Sequence, residues 1–334
     1  IKDGNSSFSA PALYYYSHIA YKNETYSEAL DGFLKLRENP TFKDEVSYYL
    51  TQIYYLLGDY DKVTEFAPDF SAEENGISNN SAEMNLLIGD AYYKVEKFDE
   101  AVAYLEDYSN RKQMSRDQSY ALAYAYFRSK NYEKAIRLFD RVSRTEDKLG
   151  QTSFYHIAQA YLYKEELNYA RTAFRSAAGL DFDPVVQEDA LYNYAVLSYK
   201  LDYNPYNEAI KAFELFLTEF PKSERKEDVY SYLVNVYSST KNYAEALKSL
   251  NRIPVLNIKL KTAYQVVSYN MGIEKYERGD FPGCVTALKG VAKYDIDPMI
   301  TGKAKFWEAD AHYMMKEWSL SIKEFREFLN VPGM

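Results

Sequence analysis

The residues most able to do chemistry in this chain are three histidines, because imidazole binds metals and transfers protons near neutral pH. They stand at His18, His156 and His312, far apart in a sequence of 334 residues, and no His-Glu-x-x-His pair occurs. We therefore expect no metal site, and we expect each histidine to be a packing or surface residue.

The other candidates for chemistry are one cysteine and some carboxylate pairs. Cys284 has no second cysteine with which to form a disulfide or a thiolate metal site. The pairs Glu73-Glu74 and Glu165-Glu166 fall at expected turns, where solvated charge explains them. The common phosphate-binding, dinucleotide-binding and nucleophile-elbow motifs are absent from the sequence. The prediction is a protein with no cofactor and no catalytic activity.

Composition excludes two classes of partner. Lys plus Arg number 40 against 49 Asp plus Glu, a net charge of −9, so no broad basic face can neutralise a nucleic-acid backbone. No apolar run approaches the roughly 20 residues that cross a bilayer, so we expect no membrane insertion of this segment. The chain has only 13 Gly and 10 Pro with 47% apolar residues, which favours long helices.

An internal repeat accounts for almost the whole chain. Its clearest element is an aromatic residue followed three positions later by a small one, as in Tyr26 to Ala29 and Phe98 to Ala101. A large apolar residue follows four positions after the small one, an offset that describes one face of a helix. The nine small-column positions, 34 to 39 residues apart, are Ala29, Val63, Ala101, Ala135, Ala170, Ala209, Ala246, Cys284 and Ser321.

A second column of small residues lies twelve positions before the first. It contains Ser17, Gly89, Ala123, Ala158, Gly272 and Ala309. If each repeat has two helices, the two columns face each other where the helices cross, and small residues let the backbones approach closely. Residues that tolerate a tight turn, such as Gly58-Asp59 and Gly279-Asp280, separate the two helices.

This pattern of aromatic, small and turn residues resembles the tetratricopeptide-repeat family, whose unit is about 34 residues long. The resemblance covers roughly residues 10–329 and implies an all-α fold, a right-handed superhelical solenoid of about nine helix-turn-helix repeats. It also implies a non-catalytic scaffold for protein–protein interactions. We expect a flexible lead at 1–9 and an array over 10–334. The repeats are predicted at approximately 10–43, 44–81, 82–115, 116–150, 151–187, 188–226, 227–264, 265–301 and 302–334.

One stretch suggests a location. Residues 216–223, Phe-Leu-Thr-Glu-Phe-Pro-Lys-Ser, are similar to repeat endings of bacterial cell-envelope members of the family, including outer-membrane assembly lipoproteins and periplasmic coordinators of envelope constriction. The resemblance slightly favours a periplasmic or cell-envelope location over the cytoplasm. Because the chain begins at Ile1 rather than Met, we expect its N-terminus to be cropped. Because no polar capping helix follows the ninth repeat, we expect the chain to be a segment of a longer array.

The family's architecture places the first helix of each repeat on a concave surface, so ligand-facing residues lie on that helix opposite the crossing. This register holds many of the 36 tyrosines, with polar residues between them. A rigid aromatic groove with scattered hydrogen-bonding groups suits an extended or helical peptide. The predicted partner-binding residues, in the second to fifth repeats, are Tyr48, Gln52, Tyr55, Asp90, Tyr93, Lys94, Tyr120, Phe127, Arg128, Tyr155 and Gln159.

Two alternatives stay open. One is that most of these rings pack in the seams between neighbouring first helices and only a minority face a ligand. The other is that the chain is a structural spacer or a self-assembling segment that binds no peptide. The last repeat favours this second alternative, because it ends in Trp318, Phe325, Phe328 and Leu329 with no polar capping helix after it.

Overall fold

The computed structural model describes residues 8–66, 81–201 and 207–330, and these ranges contain helices and turns but no strand. The prediction of an all-α fold is confirmed. The helices are α1 (Ser9–Lys22), α2 (Tyr26–Leu36), α3 (Lys43–Leu56), α4 (Tyr60–Phe66), α5 (Ser81–Lys94), α6 (Phe98–Arg111), α7 (Arg116–Arg128), α8 (Tyr132–Val142), α9 (Lys148–Tyr163), α10 (Leu167–Ala178), α11 (Pro184–Leu201), α12 (Asn207–Glu219), α13 (Lys226–Ser239), α14 (Tyr243–Asn251), α15 (Ile258–Glu277), α16 (Phe281–Lys289), α17 (Pro298–Met314) and α18 (Trp318–Leu329).

The helices pair in chain order into hairpins, from α1 with α2 to α17 with α18. We call the first helix of each hairpin helix A and the second helix B. The hairpins belong to two compact units, Ile1–Asp183 with hairpins one to five and Pro184–Met334 with hairpins six to nine. Most of the predicted lead, 1–9, lies outside the described residues, as do residues 67–80, 202–206 and 331–334 of the predicted repeats.

Each turn between helices A and B in the described ranges has one residue with positive φ, five positions before the small residue of helix B. These residues are Glu24, Gly58, Glu96, Lys130, Glu165, Lys241, Gly279 and Lys316. The amide of the next residue reaches back to close the helix end, as in the 2.8 Å bond from Asn131 N–H to the carbonyl of Tyr126. Only two of the eight are glycine, at φ 77°, although the left-handed region favours glycine.

The two columns of small residues meet at the helix crossings. All nine residues of the helix B column are between 0% and 3% exposed. On helix A, the predicted small residues and Thr51, at the same position in hairpin two, are all buried. Gly89 and Gly272 lie so close to helix B that an added Cβ would stand 2.7 Å from Leu105 Cγ and 2.5 Å from Leu288 Cγ. The predicted close approach of the two helices is therefore confirmed.

The position just before the helix A column is a core position in several hairpins. It is occupied by Leu50, Ile88, Leu122, Ile157 and Leu233, none more than 6% exposed. In hairpin nine the same position holds Glu308, which is also buried. Burial raises the pKa of the Glu308 carboxyl to about 7; nearby Glu324 adds to this rise, and the ammonium groups of Lys305 and Lys289 oppose it.

A buried glutamine near the start of helix A holds the loop that follows the hairpin. Gln151 donates to the carbonyl of Leu180 at 2.5 Å and accepts from the N–H of Asp183 at 2.7 Å. Gln265 donates to the carbonyl of Asp297 at 2.9 Å and accepts from its N–H at 2.8 Å. Both aspartates directly precede a proline that opens a helix A, so each glutamine is hydrogen-bonded to the residue just before the next helix A.

Candidate functional site

The predicted partner-binding residues lie on four A helices of the first unit, which pack side by side in the order α3, α5, α7 and α9. Helix α3 carries Tyr48, Gln52 and Tyr55, α5 carries Asp90, Tyr93 and Lys94, α7 carries Tyr120, Phe127 and Arg128, and α9 carries Tyr155 and Gln159.

Tyrosine hydroxyls link the A helices of hairpins one to three. Tyr21 on α1 donates to Gln52 Oε1 at 2.8 Å, and Gln52 Nε2 in turn donates to Tyr48 Oη at 2.8 Å. Tyr55 on α3 donates to Asp90 Oδ2 on α5 at 2.7 Å. Burial raises the pKa of Tyr55, and its hydrogen bond to Asp90 adds to that rise, so the phenol stays a donor. These predicted residues are therefore engaged with one another.

The second unit contains the same link between α15 and α17. Tyr276 donates a hydrogen bond to Asp310 Oδ2, and this bond, ahead of burial, raises the pKa of Tyr276 to about 12. In all three cases the donor lies four positions after the small residue of helix A. The acceptor lies one position after that of the next helix A. We call this arrangement the tyrosine bridge.

The tyrosine bridge is replaced between α5 and α7. Tyr93 occupies the donor position, but the acceptor position holds Tyr124, whose ring meets that of Tyr93 edge-on with centroids 5.9 Å apart. Among the described residues, the hydroxyls of Tyr93 and Tyr120 have no hydrogen-bond partner. A cleft of about 420 Å³ lies here, lined by Tyr93, Lys94, Glu96, Phe98, Tyr120, Tyr124, Arg128 and His156.

Two cations and one carboxylate line the cleft. The Arg128 guanidinium lies over the ring of Phe98 at 4.4 Å and donates to Tyr124 Oη at 3.1 Å. It is also 3.9 Å from the carboxylate of Glu96, the positive-φ residue of the turn between α5 and α6. Lys94 is exposed. The charge of the lining is thus positive by one, in a chain whose net charge is −9.

His156 closes the cleft on the side of α9. Its ring lies 5.1 Å from that of Tyr124, 5.5 Å from Phe127 and 5.4 Å from Phe139, between centroids. Its Nδ1 is 3.0 Å from Gln159 Oε1. Burial lowers the pKa of His156, a shift that the hydrogen bond to Gln159 opposes, so the imidazole is neutral at pH 7 and adds no charge.

The two unpartnered hydroxyls remain protonated. Burial is the main cause that raises the pKa of Tyr93 and of Tyr120, and the neighbouring Tyr124 adds to both shifts. At neutral pH each phenol therefore offers the cleft a hydrogen-bond donor.

The structure brings four of the predicted residues together in the cleft: Tyr93, Lys94, Tyr120 and Arg128. Three others, Phe127, Tyr155 and Gln159, contact His156 from outside the lining. The remaining four belong to the tyrosine bridges of the preceding hairpins. The predicted residues therefore fall into three groups: those that line the cleft, those that contact His156 behind it, and those that form tyrosine bridges.

Four lining residues were not predicted: Glu96, Phe98, Tyr124 and His156. Tyr124 could have been predicted from the sequence, because it lies one position after the small residue Ala123 on helix A, at the position that holds the acceptor of a tyrosine bridge. Phe98 is the aromatic residue of the repeat pattern and was not among the predicted partner-binding residues. His156 was expected to be a packing or surface residue; it does pack, and it also lines the cleft. Nothing in the sequence singles out Glu96.

The other reactive side chains make structural contacts. His18 lies edge-on to the ring of Tyr49 at 5.3 Å, and His312 Nδ1 is 2.6 Å from Glu317 Oε2. Cys284 is buried, and burial is the largest cause that raises the pKa of its thiol to about 11.

Of the carboxylate pairs, Glu73-Glu74 lies outside the described residues. Glu165-Glu166 forms the turn between α9 and α10, where Glu166 pairs with Lys164 at 3.0 Å. Over the described ranges, His, Cys, Asp and Glu side chains form no group of three or more that could hold a metal ion. No helix in the described part of the chain is long and apolar enough to cross a membrane.

Comparison with protein families gives two matches. Both models are described as tetratricopeptide repeat, and they match residues 86–147 and 189–223. Among curated proteins, no sequence matches this chain.

Solved structures with a similar arrangement of helices include three of low sequence identity. The apo form of RapI is 12% identical, covering 96% of this chain and 97% of its own, with a TM-score of 0.43. The C-terminal part of a TPR repeat-containing protein from Cytophaga hutchinsonii is 16% identical, covering 84% and 95%, with a TM-score of 0.39. A tetratricopeptide repeat protein from Parabacteroides merdae is 14% identical, covering 84% and 98%, with a TM-score of 0.40.

The two family matches fall on α5 to α8 and on α11 with α12. The buried small residues of helix B carry the same pattern through all nine hairpins. Repeats of this kind bind protein partners on their stacked helices and are typically not catalytic. The chain therefore contains tetratricopeptide repeats, matched directly over residues 86–147 and 189–223.

Proposed function

We propose that this protein is a non-catalytic scaffold that holds a peptide or a partner protein on the A helices of its first unit, at the cleft between α5, α7 and α9. The observation that carries the proposal is the replaced tyrosine bridge. Positions that form a hydrogen bond elsewhere here hold rings around an open cleft. Rigid rings provide contact area with little loss of conformational entropy, and polar groups at their edges fix the register of a ligand.

A polypeptide fits this surface better than a small molecule, because the aromatic surface continues beyond the cleft. The ring of Tyr163 is 67% exposed and lies 5.9 Å from that of Phe127. It also stacks on Tyr132 at 5.4 Å. Since Phe127 contacts His156 at the edge of the cleft, a ligand anchored in the cleft can extend along these rings.

Selection of random phage-displayed peptides on the full chain tests the proposal. The double variant Tyr93→Ala, Arg128→Ala removes a ring and a cation from the cleft, and we expect it to weaken selected peptides by on the order of tenfold or more. Tyr313→Ala is the matched control, because Tyr313 is an exposed tyrosine on helix A of hairpin nine in the second unit. Circular dichroism checks that both variants stay helical. Selected peptides that bind the double variant as well as the wild type would contradict the proposal, as would failure to select any.

A second candidate function is self-association through α18, favoured by its exposed apolar side chains. Trp318, Ile322 and Leu329 are all more than half exposed. Burial of such a surface against a second copy would be favourable. Light scattering over increasing concentration tests this: a monomer at every concentration removes the candidate, and an oligomer that Ile322→Glu dissolves supports it.

The stretch 216–223 supports a further proposal, a location in the bacterial cell envelope. In the fold this stretch also has structural roles, because Phe216 is buried and the Ser223 hydroxyl donates to Glu188 at 2.6 Å. Fractionation of cells that produce the protein checks the location, and a purely cytoplasmic signal would contradict it.

A further inference from the structure

We infer that the cleft recognises an acidic side chain of the partner, Asp or Glu beside an apolar residue, whose carboxylate supplies the hydrogen-bond acceptor that α7 lacks. The inference rests on the proposed function and specifies the ligand chemistry of the same site.

The first argument is positional. In each tyrosine bridge the acceptor is a side-chain oxygen of the next helix A, from Gln52, Asp90 or Asp310. Tyr93 stands at the donor position with no such acceptor opposite it. The Tyr124 hydroxyl, at the acceptor position, instead receives a hydrogen bond from Arg128. No side chain of α7 therefore supplies Tyr93 with an oxygen acceptor, and a bound ligand can supply one.

The second argument is charge complementarity. Tyr93 and Tyr120 offer two unpartnered phenolic donors, and Lys94 offers an ammonium group. The carboxylate in the lining, that of Glu96, is 73% exposed and already faces Arg128. A cationic ligand would lie beside two like charges, whereas a carboxylate would meet two phenolic donors and the ammonium group of Lys94. Asp90, the other carboxylate that acts on Tyr93, already accepts a hydrogen bond from Tyr55.

The third argument separates a carboxylate from a neutral amide. A guanidinium has five N–H groups in one plane, which match the two oxygens of a carboxylate. The Arg128 side chain is 41% exposed, so it can rotate from the Phe98 ring without disturbing the core. That rotation uncovers the ring for the apolar residue beside the ligand's carboxylate. An amide would reach the phenols but would gain little from the two cations.

Three small probes with the same ring test the inference: 3-phenylpropionate, 3-phenylpropionamide and 3-phenylpropylammonium. Titrated against the full chain by ligand-observed NMR, the propionate is expected to bind on the order of tenfold more tightly than the amide, and the ammonium more weakly than either. Tyr93→Phe keeps the ring and removes the donor, so it should weaken the propionate several-fold and reduce its advantage over the amide. Tyr276→Phe, at the same position in the second unit, is the matched control and should leave all three affinities unchanged.

Equal affinity for the propionate and the amide, tighter binding of the ammonium, or no saturable binding of the propionate would overturn the inference. Unchanged propionate binding by a folded Tyr93→Phe variant would do the same. In the peptides selected by phage display, replacing Asp by Asn or Glu by Gln should cost a similar factor. Peptides that need the cleft but tolerate this replacement would leave the proposed function standing and this inference false. Peptides that ignore the cleft altogether would remove both.

Discussion

Hairpins three and eight have the same crossing but differ in what their A helices meet next. Gly89 and Gly272 both bring helix A against a leucine of helix B, and each is followed four positions later by a tyrosine. Tyr276 reaches the carboxylate of Asp310, and its ring packs on Trp307 at 4.8 Å. Tyr93 instead meets the ring of Tyr124 beside a cleft. The residue at one acceptor position thus decides whether two neighbouring A helices are joined by a tyrosine bridge, as α15 and α17 are, or have a cleft beside them, as α5 and α7 do. We call the first arrangement a closed step and the second an open step. The crossing of helices A and B is the same in both.

The largest expected effect on the free energy of unfolding concerns the core position just before the small residue of helix A. Hairpin nine has Glu308 at this position, and hairpin three has Ile88. Because the pKa of Glu308 is raised from 4.5 to about 7, its protonated form is favoured in the folded state. Its contribution to stability is complete below about pH 4.5 and is lost as the pH rises to about 7. We expect Glu308→Leu to raise the free energy of unfolding by about 3 kcal/mol at pH 8.

Both tryptophans of the chain, Trp307 and Trp318, are in hairpin nine, so their fluorescence during urea unfolding reports this region. Glu308→Gln is the control for pH, because its stability should not fall between pH 4.5 and 7 as that of the wild type does. Parallel pH profiles for the wild type and Glu308→Gln would contradict the prediction.

The next largest effect tests whether the two crossings are equally tight. Gly89→Val and Gly272→Val each place atoms where Leu105 or Leu288 already stands, so each should lower the free energy of unfolding by about 2 kcal/mol. Urea unfolding followed by circular dichroism measures both. Leu105→Ala should recover part of the loss caused by Gly89→Val. A much smaller effect at Gly89 than at Gly272 would mean that the open step has a looser crossing.

A smaller difference in unfolding free energy is expected between variants of Tyr276 and Tyr93. Tyr276→Phe removes the hydrogen bond to Asp310 and should cost about 1 kcal/mol of unfolding free energy. Tyr93→Phe breaks no hydrogen bond among the described residues and should change the stability by less than about 0.5 kcal/mol. Thermal or urea unfolding of the pair decides the matter, and equal losses would show that Tyr93 has a structural bond after all.

The smallest effect concerns the A–B turns of the same two hairpins. Gly279 has φ 77° and Glu96 has φ 59°, so both occupy the left-handed region. Gly279→Ala should cost about 1 kcal/mol or less, because an added Cβ disfavours this region. Glu96→Gly should change stability by less than about 0.5 kcal/mol, since relief at the turn is offset by a more flexible unfolded chain. Urea midpoints measured side by side check the difference, which a destabilising Glu96→Gly would contradict.

The sequence predicts the hairpins well because their determinants recur at fixed spacing. A small residue at each crossing and an aromatic three positions before it depend on the local helix geometry, so Ala101 or Ala135 can be placed without the structure. Glu308 was also readable, as a carboxylate at a position where other repeats have leucine or isoleucine.

The cleft was only partly predictable. The register identifies Tyr93, Lys94, Tyr120 and Arg128, but it identifies Tyr55 equally well, although Tyr55 is bound to Asp90. The difference depends on side-chain conformations across neighbouring hairpins, which spacing alone does not determine. Glu96 occupies the same turn position as Gly58 and Gly279, but the spacing does not show that its side chain lies near Arg128.

The glutamines that hold the loops after hairpins five and eight have a consequence for folding speed. Gln151 and Gln265 each bond a residue 32 positions further along the chain, about one repeat away. The tyrosine bridges span 31, 35 and 34 positions. Closing a loop of this size costs the same entropy wherever it occurs along the chain. Folding rates fall as contacts become more distant in sequence. Because these contacts stay about one repeat apart, adding further hairpins to the chain would not make its native contacts more distant in sequence or slow their formation.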